Sequence, residues 1–252
     1  QAATSDKPFF MYLAFNAPHD PRQSPQRFVE MYPQEQIDVP ENFLPKYPYM
    51  SQIGLHHVSK SKNGKIRDSL LRDENLAPWP RTEYAVRVHR QEYYAIISHM
   101  DEQIGRILAA LEKTGKADNT YIFFTADHGL ACGHHGLMGK QNMYEHSMKP
   151  PLIIVGPDVP GGERRDAFVY LQDIMATTLD LAGVEKPAYV DFNSLVPLIG
   201  NPVATSVYPD IYGAFNARFQ RMIRSGDHKL ILYPDAKAVR LFNLAADPLE
   251  AN

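Results

Sequence analysis

The sequence predicts an α/β fold, a largely parallel sheet flanked by helices, followed by a small antiparallel subdomain. Three observations carry this. Apolar runs at 9–15, 121–124 and 152–155 read as strands, the first, continuous over seven residues, as one buried on both faces. Helical stretches at 83–113 and 171–182 alternate with them, the order of a parallel sheet. Beyond residue 200 come short alternating runs at 207–213, 219–224, 228–233 and 239–243, separated by turns such as Ser225-Gly226-Asp227 and Pro234-Asp235, the pattern of a meander. The expected division is 1–200 for the α/β part and 201–252 for the subdomain.

The first run, Phe9-Phe10-Met11-Tyr12-Leu13-Ala14-Phe15, ends in Asn16-Ala17-Pro18-His19-Asp20-Pro21, where two prolines impose a loop. Residues 21–82 are proline-rich and weakly periodic, a long surface excursion with short helices whose most exposed stretch is 59–65; long excursions are often functional. In the long helix Ile97, Met100, Ile104, Ile107 and Leu111 recur at 3, 4, 3 and 4, one apolar face. Thr114-Gly115 stops it, glycine being free to take the left-handed conformation. The second helix carries Leu171, Ile174, Met175, Leu179 and Leu181 and ends at Gly183.

Composition narrows the function. Over 252 residues, 44% hydrophobic and 22% charged, a sizeable core is available and disorder is excluded. A net charge of −3 excludes a nucleic-acid binder working through bulk positive charge. No apolar run approaches the ~20 residues that span a bilayer, so no membrane partner is expected. A single cysteine, Cys132, excludes a disulfide framework. Gln1–Lys7 has neither an initiator methionine nor the basic and apolar regions of a signal peptide, and 247–252 stops at a helix start; the expectation is a piece of a longer protein.

The densest polar stretch, Thr125-Ala126-Asp127-His128-Gly129 through Gly139-Lys140, follows an expected strand, where open α/β sheets bind ligands. Asp127 and His128 can both turn to a cation; a helix N-cap aspartate beside an incidental histidine is the competing reading. Lys140, after glycines 129, 133, 136 and 139, suits an anion as a point charge, though a lone lysine is more often solvated. His19, between Pro18 and Asp20, suits a general acid or an oxyanion contact, and on its own reads equally as a surface histidine. Cys132 has no evident fixed base and reads as a small buried side chain.

Taken in order, these stretches resemble the type I sulfatases of the alkaline phosphatase superfamily over nearly the whole chain. Lys7 to His19 is similar to that family's strand leading to an Ala-Pro-His loop, and Tyr94 to Leu111 to its long helix. Thr125-Ala126-Asp127-His128-Gly129 with Gly139-Lys140 and Tyr144-Glu145 is the most specific match. Ser194 to Leu198, Ile223 to Ile231, Leu241 to Leu244 and Asp247 to Glu250 resemble its C-terminal subdomain.

The resemblance implies an alkaline phosphatase-like sheet, with Asp127 and His128 as metal ligands and Lys140 and His19 binding sulfate. His135 and His134, on the same loop, are lesser candidates for the substrate pocket. It implies a sulfated small molecule or glycan as substrate, calcium as the usual ion (with manganese or zinc compatible with the imidazole), and a periplasmic or extracellular setting. The family's formylglycine nucleophile arises from Cys/Ser-x-Pro/Ala-x-Arg. Here Cys132-Gly133-His134-His135-Gly136 lacks the Pro and Arg, and Ser24-Pro25-Gln26-Arg27 has the wrong spacing. The paired N-terminal aspartate ligands are also missing. An inactive chain with an empty metal site is therefore expected. A phosphonate monoester or phosphodiester hydrolase of the same superfamily is the rival enzyme, and a non-catalytic scaffold the rival outside enzymology.

Overall fold

A computed structural model of the chain describes residues 5, 7–50, 52, 59–60, 66–67, 72–215 and 220–252. The helices are α1 Gln26–Val29, α2 Glu83–Lys113, α3 Glu145–Met148, α4 Asp173–Leu181 and α5 Val196–Gly200. The strands are β1 Ser59–Lys60, β2 Ile66–Arg67, β3 Ile122–Thr125, β4 Leu152–Val155, β5 Asp210–Phe215, β6 Gln220–Ser225, β7 His228–Tyr233 and β8 Ala238–Asn243. Short 3-10 turns at Gln34–Gln36, Arg72–Leu76 and Ala117–Asn119 complete the set. Most of the expected exposed stretch at 59–65 lies outside the described residues.

Helix α2 follows the predicted span. Thr82 caps its start by accepting the Ala85 N–H at 3.2 Å. Gly115, at φ +70°, closes its end, where a side chain would be strained. Thirty-one residues at 1.5 Å rise make a rod about 46 Å long. Val86, Ala95 and Ile96 are buried in its first half, whereas the predicted stripe Ile97 to Leu111 is half-buried.

The run at 9–15 corrects the sequence reading. It forms no strand, and Phe10 and Tyr12 are 77% and 81% exposed. An apolar run becomes a strand only when a neighbour completes its hydrogen-bond ladder. Strands β3 and β4 pair with each other, antiparallel, from Ile122 opposite Val155 to Thr125 opposite Leu152. Among the described residues nothing pairs with 9–15 and every ladder is antiparallel, so the expected parallel sheet is not assembled within them.

The meander does form. Strands β5-β6-β7-β8 make an antiparallel sheet in sequential order, with Met222 opposite Ile231 and Lys229 opposite Phe242. Its inner residues Met222, Ile231, Tyr233 and Phe242 share one core with Tyr47, Met50, Ala131, Leu137, Met143 and Tyr144. Tyr47 Oη meets Tyr233 Oη at 2.6 Å and Tyr144 Oη at 3.1 Å, so the three buried hydroxyls satisfy one another. That core fastens the glycine-rich loop to the sheet.

Candidate active site

The loop after β3 is folded back on itself. The Ala131 N–H donates to the Gly139 carbonyl at 3.0 Å and the Gly133 N–H to Leu137 at 2.8 Å, so Asp127-His128 and Lys140 leave the same end of one turn. A Cβ at Gly129 would collide with the His146 carbonyl oxygen, so only glycine lets the loop lie against that backbone.

Lys140 points to Asp73, whose carboxylate is 2% exposed. Its Nζ lies 3.5 Å from Asp73 Oδ2, and Gln141 Nε2 donates to the same oxygen at 3.2 Å. Arg72 Nη1 donates to Asp73 Oδ1 at 2.6 Å and to His19 Nε2 at 3.3 Å, while its Nη2 reaches Asp20 Oδ2 at 2.5 Å. His19 Nδ1 donates to the Asp20 carbonyl at 2.8 Å, which leaves Nε2 as the acceptor facing the site. His19 and Lys140, 121 residues apart, are thus joined through Arg72 and Asp73. The sequence reading missed both connecting residues.

Beside Asp73, Glu74 is also buried. It accepts the Met138 N–H at 3.1 Å, the Gly139 N–H at 2.9 Å and Arg81 Nη2 at 2.6 Å. Burial pushes its carboxyl above the usual range, opposed by the Arg81 charge and the two amides. Arg81 is fully buried; it also donates to the Gly136 carbonyl at 3.0 Å and stacks over Trp79 at 3.6 Å.

Asp127 and His128 stand together, with Asp127 Oδ2 3.2 Å from His128 Nε2 and the aspartate side chain 83% exposed. Among the described residues no hydrogen bond or ion pair joins them to Lys140 or His19. His135 is not brought to that site either. Buried, it stacks on Tyr144 at 3.9 Å with Nε2 3.2 Å from Asn42 Nδ2, and burial lowers its pKa to about 3. His134 stacks on His146 at 5.4 Å, its Nδ1 is 2.8 Å from Asn42 Oδ1, and burial lowers its pKa to about 4. Cys132 is buried, which pushes its thiol up and away from nucleophilic use.

Among the described residues, two places could be weighed for a divalent cation. His19, Asp20 and Asp73 bring their ligand atoms within 4.8 Å of one another. Arg72 and Lys140 already balance the two carboxylates of this possible acidic metal-binding cluster, so an ion there would compete with a guanidinium. The Asp127–His128 pair is the second. Its carboxylate is open to solvent and both side chains can ligate, but they are two ligands where a calcium ion takes six to eight.

Against known proteins, the sulfatase family model matches residues 1–184. The chain belongs to the sulfatase family. A second model, N-sulphoglucosamine sulphohydrolase, C-terminal, matches residues 133–252 of this sulfatase chain. It is 31% identical to arylsulfatase K of Xenopus laevis over 99% of its length and 48% of that protein. It is 32% identical to a choline-sulfatase of Rhizobium meliloti over 98% of its length and 46% of that protein. Among solved structures, a phosphonate monoester hydrolase of Agrobacterium radiobacter matches at 25% identity with a TM-score of 0.76, covering 99% of this chain and 53% of that one. A protein solved with its substrate D-glucosamine-2-N,6-O-disulfate matches at 24% identity and TM-score 0.75, covering 94% of this chain and 58% of that one. The fold is alkaline phosphatase-like, and the sulfatase chain spans about half the length of the curated relatives it matches.

Proposed function

We propose that this sulfatase chain carries the sulfate-binding half of a sulfuric ester hydrolase acting on a sulfated carbohydrate or an aryl sulfate. The observation that supports it is the convergence of His19 and Lys140 on the Arg72–Asp73 pair. When a nucleophile attacks sulfur, negative charge grows on the sulfate oxygens and on the departing alcohol oxygen as the sulfur–oxygen bond breaks. Lys140 Nζ is a point charge suited to the sulfate oxygens. His19, whose Nδ1 is held by the Asp20 carbonyl, turns Nε2 toward the site; once the Arg72 N–H gives way and Nε2 carries a proton, that atom would pass it to the departing alcohol oxygen. Asp127 and His128 would hold a calcium ion, whose charge polarises the sulfate.

The nucleophile in this reading is a formylglycine contributed from outside residues 1–252, since no Cys/Ser-x-Pro/Ala-x-Arg occurs in them. The periplasmic or extracellular setting belongs to the same proposal and rests on the family resemblance. A phosphonate monoester hydrolase is the second reading, favoured by the imidazole of His128, which suits manganese or zinc better than calcium, and by the Agrobacterium radiobacter neighbour. Paired sulfate and phosphonate ester assays with metal analysis of the full-length protein separate the two. Turnover of the sulfate ester that collapses in Lys140→Ala supports the first reading; preference for the phosphonate ester with bound manganese or zinc overturns it.

A further inference from the structure

We propose that Asp73 and Glu74, with Arg72 beside them, are positioning residues that set Lys140 and His19 in fixed relation to one another. The proposal rests on the reading of those two groups as sulfate contacts. Two consecutive carboxylates hold four consecutive residues of the lysine loop. Glu74 takes the N–H groups of Met138 and Gly139, and Asp73 takes the side chains of Lys140 and Gln141. The two backbones meet closely: a Cβ at Gly139 would lie 2.6 Å from Asp73 Cβ and 3.1 Å from Glu74 Oε1.

Arg72 extends the grip to the other loop by bonding Asp73, Asp20 and His19 together. A solvated ion pair would hold little, but Asp73 and Glu74 are 2% and 1% exposed, so their charges are stable only while these partners stay in place. Glu74 is anchored in turn by Arg81, wholly buried beneath the loop. A lysine left in solvent samples many rotamers. Ordering it before substrate arrives means that binding does not have to do so.

The test uses Asp73→Asn and Arg72→Gln in the full-length protein, with three readouts. These are kcat and KM on a chromogenic aryl sulfate, thermal stability, and residue-resolved labelling by mass spectrometry. An amine acylating reagent reports on Lys140 against Lys149, and diethylpyrocarbonate on His19. Asp73→Asn is expected to lower kcat roughly tenfold or more with little change in KM, and to speed acylation of Lys140 but not of Lys149. Arg72→Gln should speed modification of His19 and leave Lys140 as it was. Wild-type kcat and labelling in both variants overturn the proposal, as does a uniform rise over all lysines, which would mean general loosening. If Asp73→Asn fails to fold, Asp73→Glu, which keeps the charge and displaces the carboxylate, takes its place for the Lys140 readout, and Arg72→Gln, at a mostly exposed residue, decides the grip on His19. A wild-type protein without sulfatase activity would sink the sulfatase reading, while the labelling rates would still decide the positioning.

Discussion

Lys229 offers the sharpest test of how the C-terminal sheet is held to the lysine loop. Its side chain on β7 is fully buried, with Nζ 2.7 Å from Glu250 Oε1 and 3.0 Å from Glu145 Oε1. Glu250, itself 2% exposed, also accepts the Glu145 N–H at 2.6 Å, and Arg224 Nη1 lies 2.8 Å from Glu145 Oε2. Two cations and two carboxylates therefore tie β6, β7, α3 and the last residues into one knot. Lys229→Met keeps the volume and removes the charge. It leaves Glu250 in an apolar setting beside a second carboxylate, the situation that costs about 3–5 kcal/mol.

For a chain of 252 residues, each kcal/mol moves Tm by about 2–4 °C, so the expected fall is roughly 6–20 °C. The single tryptophan, Trp79, allows urea or thermal unfolding to be followed by its fluorescence. Burial already raises the Glu250 carboxyl, and loss of Lys229, which lowers it, raises it further. A raised folded-state pKa means that the folded variant takes up a proton before the unfolded chain does. Its stability therefore recovers as pH falls through that value, and the penalty shrinks on acidification. The double variant Lys229→Met/Glu250→Gln should regain about 1–3 kcal/mol over the additive sum. A penalty below about 1 kcal/mol at pH 7.5, or strict additivity, would refute the claim that the pair is buried and coupled.

Three further outcomes are expected. Burial depresses His134, His135 and His146, so the unfolded chain binds protons below pH 6.5 that the folded chain refuses. Stability falls from pH 6.5 toward 4 by at most about 4 kcal/mol per pH unit, offset in part by the raised Glu74, Glu92 and Glu250; a urea midpoint unchanged between pH 7.5 and 5.5 would contradict it. Calcium titrated calorimetrically into this chain should bind no tighter than about 1 mM, because Asp127 and His128 supply one carboxylate and one imidazole; micromolar binding abolished by Asp127→Ala would prove the pair sufficient. The 252 residues alone should not hydrolyse a chromogenic aryl sulfate, and robust turnover would show that a nucleophile lies within them.

What was legible in the sequence is what local physics determines. Helix α2 shows in the spacing of Ile97 to Leu111 because a helix satisfies its own backbone, and β5–β8 show because each turn joins strands adjacent in sequence. The run at 9–15 misled because an apolar run reads as a strand from composition alone, and among the described residues no neighbour completes its ladder. His135 misled in a related way. A histidine in a glycine-rich loop reads as a site residue, and only the fold shows that Asn42, 93 residues away, and the Tyr144 ring take it into the core.

Asp73 and Glu74 were hidden for the opposite reason. They sit in a proline-rich excursion with no periodicity, and their partners lie 64 to 68 residues downstream. The sequence itself offers only adjacent carboxylates shortly before the apolar Leu76-Ala77 and an arginine at 81; that Arg81 is buried, and that Gly139 has no positive φ, emerges from the fold. At Gly139 the need is space, because a Cβ there would lie 2.6 Å from Asp73 Cβ. The crowding segment is the acidic dipeptide itself. The glycine immediately before Lys140 is thus explained by what holds the lysine, and the loop's composition and the site's geometry have a single cause.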